Sequence, residues 1–208
     1  MQATRPQLAA GDDAALAAAL RMREPRAAIE AARAYGPLVR RIVSRFLGPA
    51  GDVQDLCQEV FLRFFKRIDE LRDPPALRGF LISIALGVGR NEARRARVRR
   101  WIGLTSSGDL PDIAGPLSWD PEAREATAHL YAVLERLSAE DRSLFTARFA
   151  ERMEVADVAA AHGMTLATAK RRLARLTKRL GAKMSRDPLL APYVNSIAKR
   201  ASGGESSG

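Results

Sequence analysis

The sequence predicts an all-α protein made of two small helical domains joined by a flexible linker. Three observations carry this reading. Apart from turns, every strong hydrophobic period in the 208 residues is helical, with Ala, Leu, Arg and Glu dominant and strand signals weak. Residues 102–119 are rich in Gly, Ser, Pro and Asp, which marks a linker. Residues 153–180, MEVADVAAAHGMTLATAKRRLARLTKRL, read as a short helix, a glycine turn and a strongly basic second helix. The chain divides into an N-terminal extension 1–24, a first domain 25–101, the linker 102–119, a second domain 120–184 and a largely disordered tail 185–208.

In chain order, Asp12 and Asp13 open a frayed helix in the extension, and a helix is expected from Arg26 to Tyr35. Pro37, suited to a first turn, starts another that runs to Leu47 with Leu38, Val39, Ile42, Val43 and Phe46 on one apolar face. Gly48, Pro49 and Gly51 make a turn, after which Asp52 caps the most regular helix of the chain. Val53, Leu56, Cys57, Val60, Phe61, Phe64, Ile68 and Leu71 keep the i, i+3, i+4, i+7 rule there without a miss. After Asp73-Pro74-Pro75, a helix from Leu77 to Arg100 turns Phe80, Leu81, Ile84, Ala85 and Val88 inward, and Trp101 is expected to plug the domain edge. Asp120-Pro121 opens the second domain, with a helix to about Leu137. Ser138 and Asp141 have capping-box spacing before the helix that holds Leu144, Phe145 and Phe149. In the helix-turn-helix, Val155, Val158 and Ala159 point inward, Gly163 takes the left-handed conformation and Thr165 caps the second helix. The chain is expected to become irregular after Gly181.

Charge is distributed to match. The net charge is +10, which favours a polyanionic partner. Arg90 to Arg100 holds six arginines and one acid, and Lys170 to Arg186 holds eight basic residues and no acid. Between them, Trp101 to Trp119 has no Lys or Arg and only Asp109 and Asp112. Two basic segments on either side of a basic-free one suggest two separate nucleic-acid contacts. In the second helix of the helix-turn-helix, Leu166, Ala169, Leu173, Leu176 and Leu180 share one face and Arg171, Arg175 and Lys178 the other, with Thr168 at its leading end. Arg171 is best placed for base edges, while Lys170, Arg172 and Lys178 suit phosphates. On the Asp52 helix, Asp55, Gln58, Glu59, Leu62 and Lys66 form the outer face. Leu62 is out of place there unless another protein covers it, although single exposed leucines are common.

The two halves together resemble a bacterial RNA polymerase sigma factor of the sigma-70 family, extracytoplasmic-function type. DVQDLCQEVFLRFFKRI (residues 52–68) is similar to the stretch of family region 2 that docks on the clamp helices of core RNA polymerase. The resemblance implies Asp55, Gln58, Glu59 and Leu62, with Phe65 at their edge, as polymerase contacts. RGFLISIALGVGRNEARRARVRR (residues 78–100) resembles the part that opens and reads the −10 element, which implies Arg78, Ser83, Arg90, Asn91, Arg94, Arg97 and Arg100 as DNA contacts. It departs from the family at Phe80, Gly87 and Asn91, where members usually carry tryptophan, asparagine and an acid. LSAEDR (137–142) and ATAKRRLARL (167–176) resemble region 4, whose recognition helix reads the −35 element while the domain packs on the polymerase β flap. That carries Thr168, Lys170, Arg171, Arg172, Arg175 and Lys178 into the −35 contact.

The function implied is a dissociable promoter-specificity subunit; the alternative is a stand-alone helix-turn-helix regulator that binds an operator as a dimer. The partners implied are core polymerase, promoter DNA and, from the family alone, an anti-sigma factor. No catalytic constellation, phosphate loop or metal-ligand cluster is legible, and the one cysteine, Cys57, excludes an internal disulfide. No cofactor or small-molecule substrate is expected. The opening residues do not resemble a signal peptide and no apolar run could span a bilayer, so a cytoplasmic location is expected. Arg171→Ala should relax selectivity at one upstream base pair by about 1–3 kcal/mol, measured by binding to single-base promoter variants. A uniform loss across all variants would reassign Arg171 to phosphate.

Overall fold

The computed structural model describes residues 10–47, 52–101 and 121–201, and among them no strand occurs. The first domain contains helices α1 (Ala10–Arg21), α2 (Pro25–Ser44), α3 (Val53–Lys66) and α4 (Leu77–Trp101). The second contains α5 (Pro121–Glu135), α6 (Ala139–Phe145), a π-helical turn (Thr146–Ala150), α7 (Val155–Ala161), α8 (Leu166–Met184) and α9 (Val194–Ala201). The expected turn at Gly48 to Gly51, the linker and residues 202–208 lie outside the described residues, as do the side chains of Arg99, Arg100 and Trp101.

Helix α3 starts where the sequence places it. The Asp52 carboxylate accepts from the backbone N–H groups of Gln54 (2.7 Å) and Asp55 (3.2 Å), satisfying two amides that the helix itself leaves without partners. Leu56, Val60 and Phe64 are buried, and a 3₁₀ turn at Ile68–Glu70 carries the same apolar row on through Ile68 and Leu71. The Ser138 hydroxyl caps α6 by accepting from the Asp141 N–H at 3.1 Å.

Four local expectations are corrected. The helix before Gly48 does not break at Pro37: α2 is one helix of 20 residues with Pro37 inside it. The lost N–H bond is tolerated because Ala27, Ala31 and Tyr35 before the proline and Leu38, Val39, Ile42 and Val43 after it bury the same face. The extension is more than a frayed start, since α1 buries Leu16, Ala17 and Leu20, Arg23 pairs with Asp69 at 2.6 Å, and Tyr35 donates to Asp13. Residues beyond Gly181 are ordered by packing: α8 runs on to a buried Met184, Leu190 is buried, and α9 lays Val194 and Ile197 against the core.

The fourth correction concerns α4. One inward face was expected, yet Leu81, Ile82, Ile84, Ala85, Leu86 and Val88 are all buried. An apolar arc this wide must be covered from more than one direction. Helices α2 and α3 pack on one side of α4, and α6 and α7 of the second domain pack on the other. Phe80, expected inside, is half-buried and packs on Phe64 at a centroid distance of 6.1 Å. Gly89 permits close approach of α2's end: a Cβ there would lie 2.4 Å from Cδ2 of Phe46, whose ring is fully buried.

Gly89→Ala should therefore lower stability by about 1–2 kcal/mol, overpacking outweighing the better helix propensity of alanine. Gly87→Ala, where the nearest atom is Arg90 Nη2 at 3.9 Å, should leave the melting temperature unchanged or raise it. Thermal unfolding of the two variants side by side checks both.

Candidate nucleic-acid interface

The helix-turn-helix forms as its residues dictate. Gly163 has φ +60°, the left-handed conformation that ends α7, and the Thr165 hydroxyl accepts from the Thr168 N–H at 3.3 Å to cap α8. Helix α8 buries Ala169, Leu173, Leu176, Leu180 and Met184. Arg171, Arg175 and Lys178 are exposed along the opposite side with Lys170 and Arg172 exposed on its flanks, and Thr168 is half-buried, accepting from the Thr165 hydroxyl at 3.0 Å. Leu166, expected on the apolar face, is 46% exposed. It is the first residue of α8, and a helical side chain leans toward its own N-terminus, here past the last buried turn.

The arginine side of α4 is not open in the same way. Arg78, Asn91, Arg94 and Arg97 are exposed and Arg90 half-buried. The Ser83 hydroxyl donates to the carbonyl of Phe80 at 2.7 Å, so its hydrogen is engaged within the helix. The second domain faces this row with acids. Arg94 pairs with Glu140, whose carboxyl the Arg94 hydrogen bond holds below the usual carboxylate range. Arg94, Arg97 and Val98 also line an open cleft of about 690 Å³ against Leu137, Ser138 and Glu140, so the second domain overhangs the end of α4. The side chain of Arg100 lies outside the described residues.

The most deeply buried carboxylate between the domains, Glu151, and its partners Arg41 and Arg45 are residues that the sequence did not single out. Glu151 follows the π turn, whose wide ring is closed by its N–H on the carbonyl of Thr146 at 2.9 Å. Only 6% of Glu151 is exposed. Its carboxylate accepts from Arg41 Nη2 (2.9 Å) and Nε (3.3 Å) and from Arg45 Nη1 (2.8 Å), with Arg78 Nη2 at 3.9 Å. Burial pushes the Glu151 carboxyl up, but the hydrogen bonds and charges of Arg41 and Arg45 outweigh it and hold the group ionised. The available signal was small: Arg41 and Arg45 are cations at i and i+4 on a helix otherwise read for its apolar face.

A second polar chain crosses the same boundary. Arg90 Nη1 donates to the hydroxyl of the fully buried Ser143 at 3.4 Å. That hydroxyl is 2.8 Å from His162 Nε2, and His162 Nδ1 is 2.8 Å from the carbonyl of Val158. No serine–histidine pair was legible in the sequence, because residues 143 and 162 meet only through the fold of α6 against α7. With the serine sealed and the ring oriented by a peptide carbonyl, the pair is a packing contact that substrate cannot reach. Burial first, then the charges of Arg90 and Arg172, push His162 down to about 4, so the ring is neutral near pH 7. Arg142, buried next to Ser143 in sequence, donates to the carbonyls of Leu134 (3.1 Å), Glu135 (2.9 Å) and, across the boundary, Phe46 (3.5 Å).

The outer face of α3 points to solvent. Leu62 is 62% exposed and Asp55 and Gln58 are exposed beside it. Glu59 is half-buried and pairs with Arg63 at 2.5 Å, one turn on. Phe65 is half-buried, stacked on Phe61 with centroids 5.9 Å apart. Among the described residues no helix is long and apolar enough to cross a membrane.

Comparison with known proteins matches residues 31–99 to sigma-70 region 2 and residues 128–180 to sigma-70 region 4. The chain is similar to the RNA polymerase sigma factor CnrH of Cupriavidus metallidurans, 28% identical over 74% of this chain and 88% of that protein. It is similar to the ECF RNA polymerase sigma-E factor of Escherichia coli, 26% identical over 72% and 82% of the two chains. It also matches the ECF sigma factor SigL of Mycobacterium tuberculosis, 29% identical over 67% and 78%. A solved structure of CnrH in complex with the cytosolic domain of CnrY shares the fold, with a TM-score of 0.61 and 22% identity over 84% of this chain and 98% of that one.

His162 makes stability pH-dependent. Its pKa is lower folded than its ordinary 6.5, so as pH falls from 6.5 toward 4 the unfolded chain takes up a proton that the folded chain refuses. Roughly 3 kcal/mol should be lost across that window, with Glu151 adding to the loss as pH falls through its own, lowered range. His162→Gln should lose less stability than wild type between pH 7 and pH 4.5, read from thermal unfolding at both values.

Proposed function

Because this chain belongs to the sigma-70 family and is an RNA polymerase sigma factor of the extracytoplasmic-function type, we propose that it binds core polymerase through α3 and reads promoters with two separate surfaces. The observation that carries the reading is the outward face of α3. Leu62 lies exposed among Asp55 and Gln58 in a chain whose other large apolar residues mostly pack inside. Such a patch suits a protein partner, and the clamp helices of core polymerase are the surface assigned to it, with Glu59 and Phe65 at its rim.

On this reading α8 enters the major groove at the −35 element. Its five exposed cations supply base contact from Arg171 and phosphate contact from Lys170, Arg172, Arg175 and Lys178, with Thr168 at the groove edge. The α4 row, Arg78, Asn91, Arg94, Arg97 and Arg100 with Arg90 and Ser83, takes the melted −10 strand. Polymerase would hold the domains apart at a fixed spacing, so that each contact raises the effective concentration of the other. The β flap would receive the second domain. The protein acts in the cytoplasm, where its template is. As the similar CnrH structure contains a second protein, the cytosolic domain of CnrY, this chain is also assigned a regulatory protein partner.

Run-off transcription with core polymerase and a promoter library tests the proposal: specific transcripts that depend on the added chain are expected, and no stimulation would overturn it. Leu62→Asp should cut co-purification with core polymerase by at least about tenfold, as loss of an interface hot spot does. It should leave duplex DNA binding by α8 unchanged.

A further inference from the structure

We propose that Arg41, Arg45 and Arg78 form a site for a backbone phosphate of the melted DNA strand, and that Glu151 fills this site as a carboxylate surrogate when the second domain closes on the first. The inference rests on the sigma-factor reading above and adds to it two residues, Arg41 and Arg45, on a helix outside the −10 segment.

The argument begins with charge. Three guanidinium groups of the first domain converge on two oxygen atoms, at 2.9, 2.8 and 3.9 Å, and the acid that occupies the centre belongs to the other domain. Remove Glu151 and three like charges are left around one small space, a set of donors suited to a replacement anion. Arg45 is held in place from within its own domain, since its Nη1 also donates to the carbonyl of Arg41 at 3.2 Å. The site is therefore built by the first domain and merely occupied by the second. Its donors suit an oxyanion: Arg41 presents two N–H groups in a fork, the geometry that matches carboxylate and phosphate alike.

Continuity identifies the anion as nucleic acid. Arg78 is shared with the −10 row, and Arg90 and Arg94 follow it on α4 about 18 and 24 Å further along, at ~1.5 Å per residue. The second domain meets all three with groups from one short segment: Glu151 on Arg78, Ser143 on Arg90 and Glu140 on Arg94. Carboxylates and a hydroxyl thus stand along the row where a strand would place its oxygens. An acidic surface of polymerase would not need the match with α4. Closure of the second domain and capture of a strand by the first then compete for the same guanidinium groups.

The test uses the full chain and a labelled single-stranded oligonucleotide in fluorescence anisotropy across a salt series, without polymerase. Glu151→Gln, which keeps the side chain's size and removes its charge, should tighten binding by roughly tenfold and steepen the salt dependence by about one phosphate contact. Adding Arg41→Gln and Arg45→Gln to that variant should return affinity and slope to the wild-type level or below. The proposal is overturned if Glu151→Gln changes nothing, or if its gain survives loss of Arg41 and Arg45, which would place the phosphate elsewhere. Should circular dichroism show Glu151→Gln unfolded, the Arg41→Gln, Arg45→Gln chain bound to core polymerase decides. Its promoter complexes should lose about one contact's worth of salt slope, and an unchanged slope would assign the triad to an acidic protein surface or to structure alone. Failure of run-off transcription with a positive result here would sink the functional proposal and leave the site standing.

Discussion

The centre of α4 is buried over more than half of its circumference. At about 100° per residue, Leu81, Ile82, Ile84, Ala85, Leu86 and Val88 span an arc of roughly 200° and leave only the half-buried strip of Ser83 and Gly87, so the helix needs cover on two flanks. The first domain supplies one with α2 and α3, and the second supplies the other with α6 and α7. Much else follows from that single demand. Gly89 lets Phe46 reach the helix, the carbonyl of Phe46 then accepts from Arg142 of the second domain, and Ser143 and His162 come to lie over Arg90.

Polar contacts around this apolar seam set how the domains meet more than how strongly. A buried ion pair repays its desolvation only with good geometry and full hydrogen bonding, and as a source of net stability it is modest. The Glu151 cluster meets those conditions, with three donors on two oxygens. Its consequence is positional: the carboxylate has a partner set only if the π turn is docked beside the end of α2 and the start of α4. Removing the arginines leaves the buried Glu151 carboxylate without a counterpart, which costs far more than the pair contributes. Exposed pairs such as Arg67–Glu70 and Arg23–Asp69 are local by comparison and contribute little.

The two basic surfaces proposed to face DNA differ in the same terms. The cations of α8 stand in solvent with no domain over them, whereas Arg78, Arg90 and Arg94 of α4 are each engaged from the second domain. The α3 face around Leu62 is likewise open. A chain folded this way leaves the α3 face and the α8 cations open while part of the α4 arginine row is occupied. On the function proposed above, docking on polymerase would precede reading of the melted strand.

The sequence determined what depends on neighbours within a turn or two. The Asp52, Ser138 and Thr165 caps, the left-handed Gly163, the apolar rows of α3 and α8 and the cationic face of α8 were legible because helix period and capping are local rules. So was the outward Leu62, from its place on the wheel. Tertiary structure alone decided the continuity of α2 through Pro37, the burial of Ile82 and Leu86, the ordering of residues 185–201, and the meeting of Arg41, Arg45 and Arg78 with Glu151. Each of these depends on surfaces more than 40 residues apart, or on a second face that only a neighbouring helix can cover. Burial of a face outweighs a missing hydrogen bond at Pro37, and a carboxylate 106 residues beyond Arg45 chooses its partners by packing, which no local period encodes.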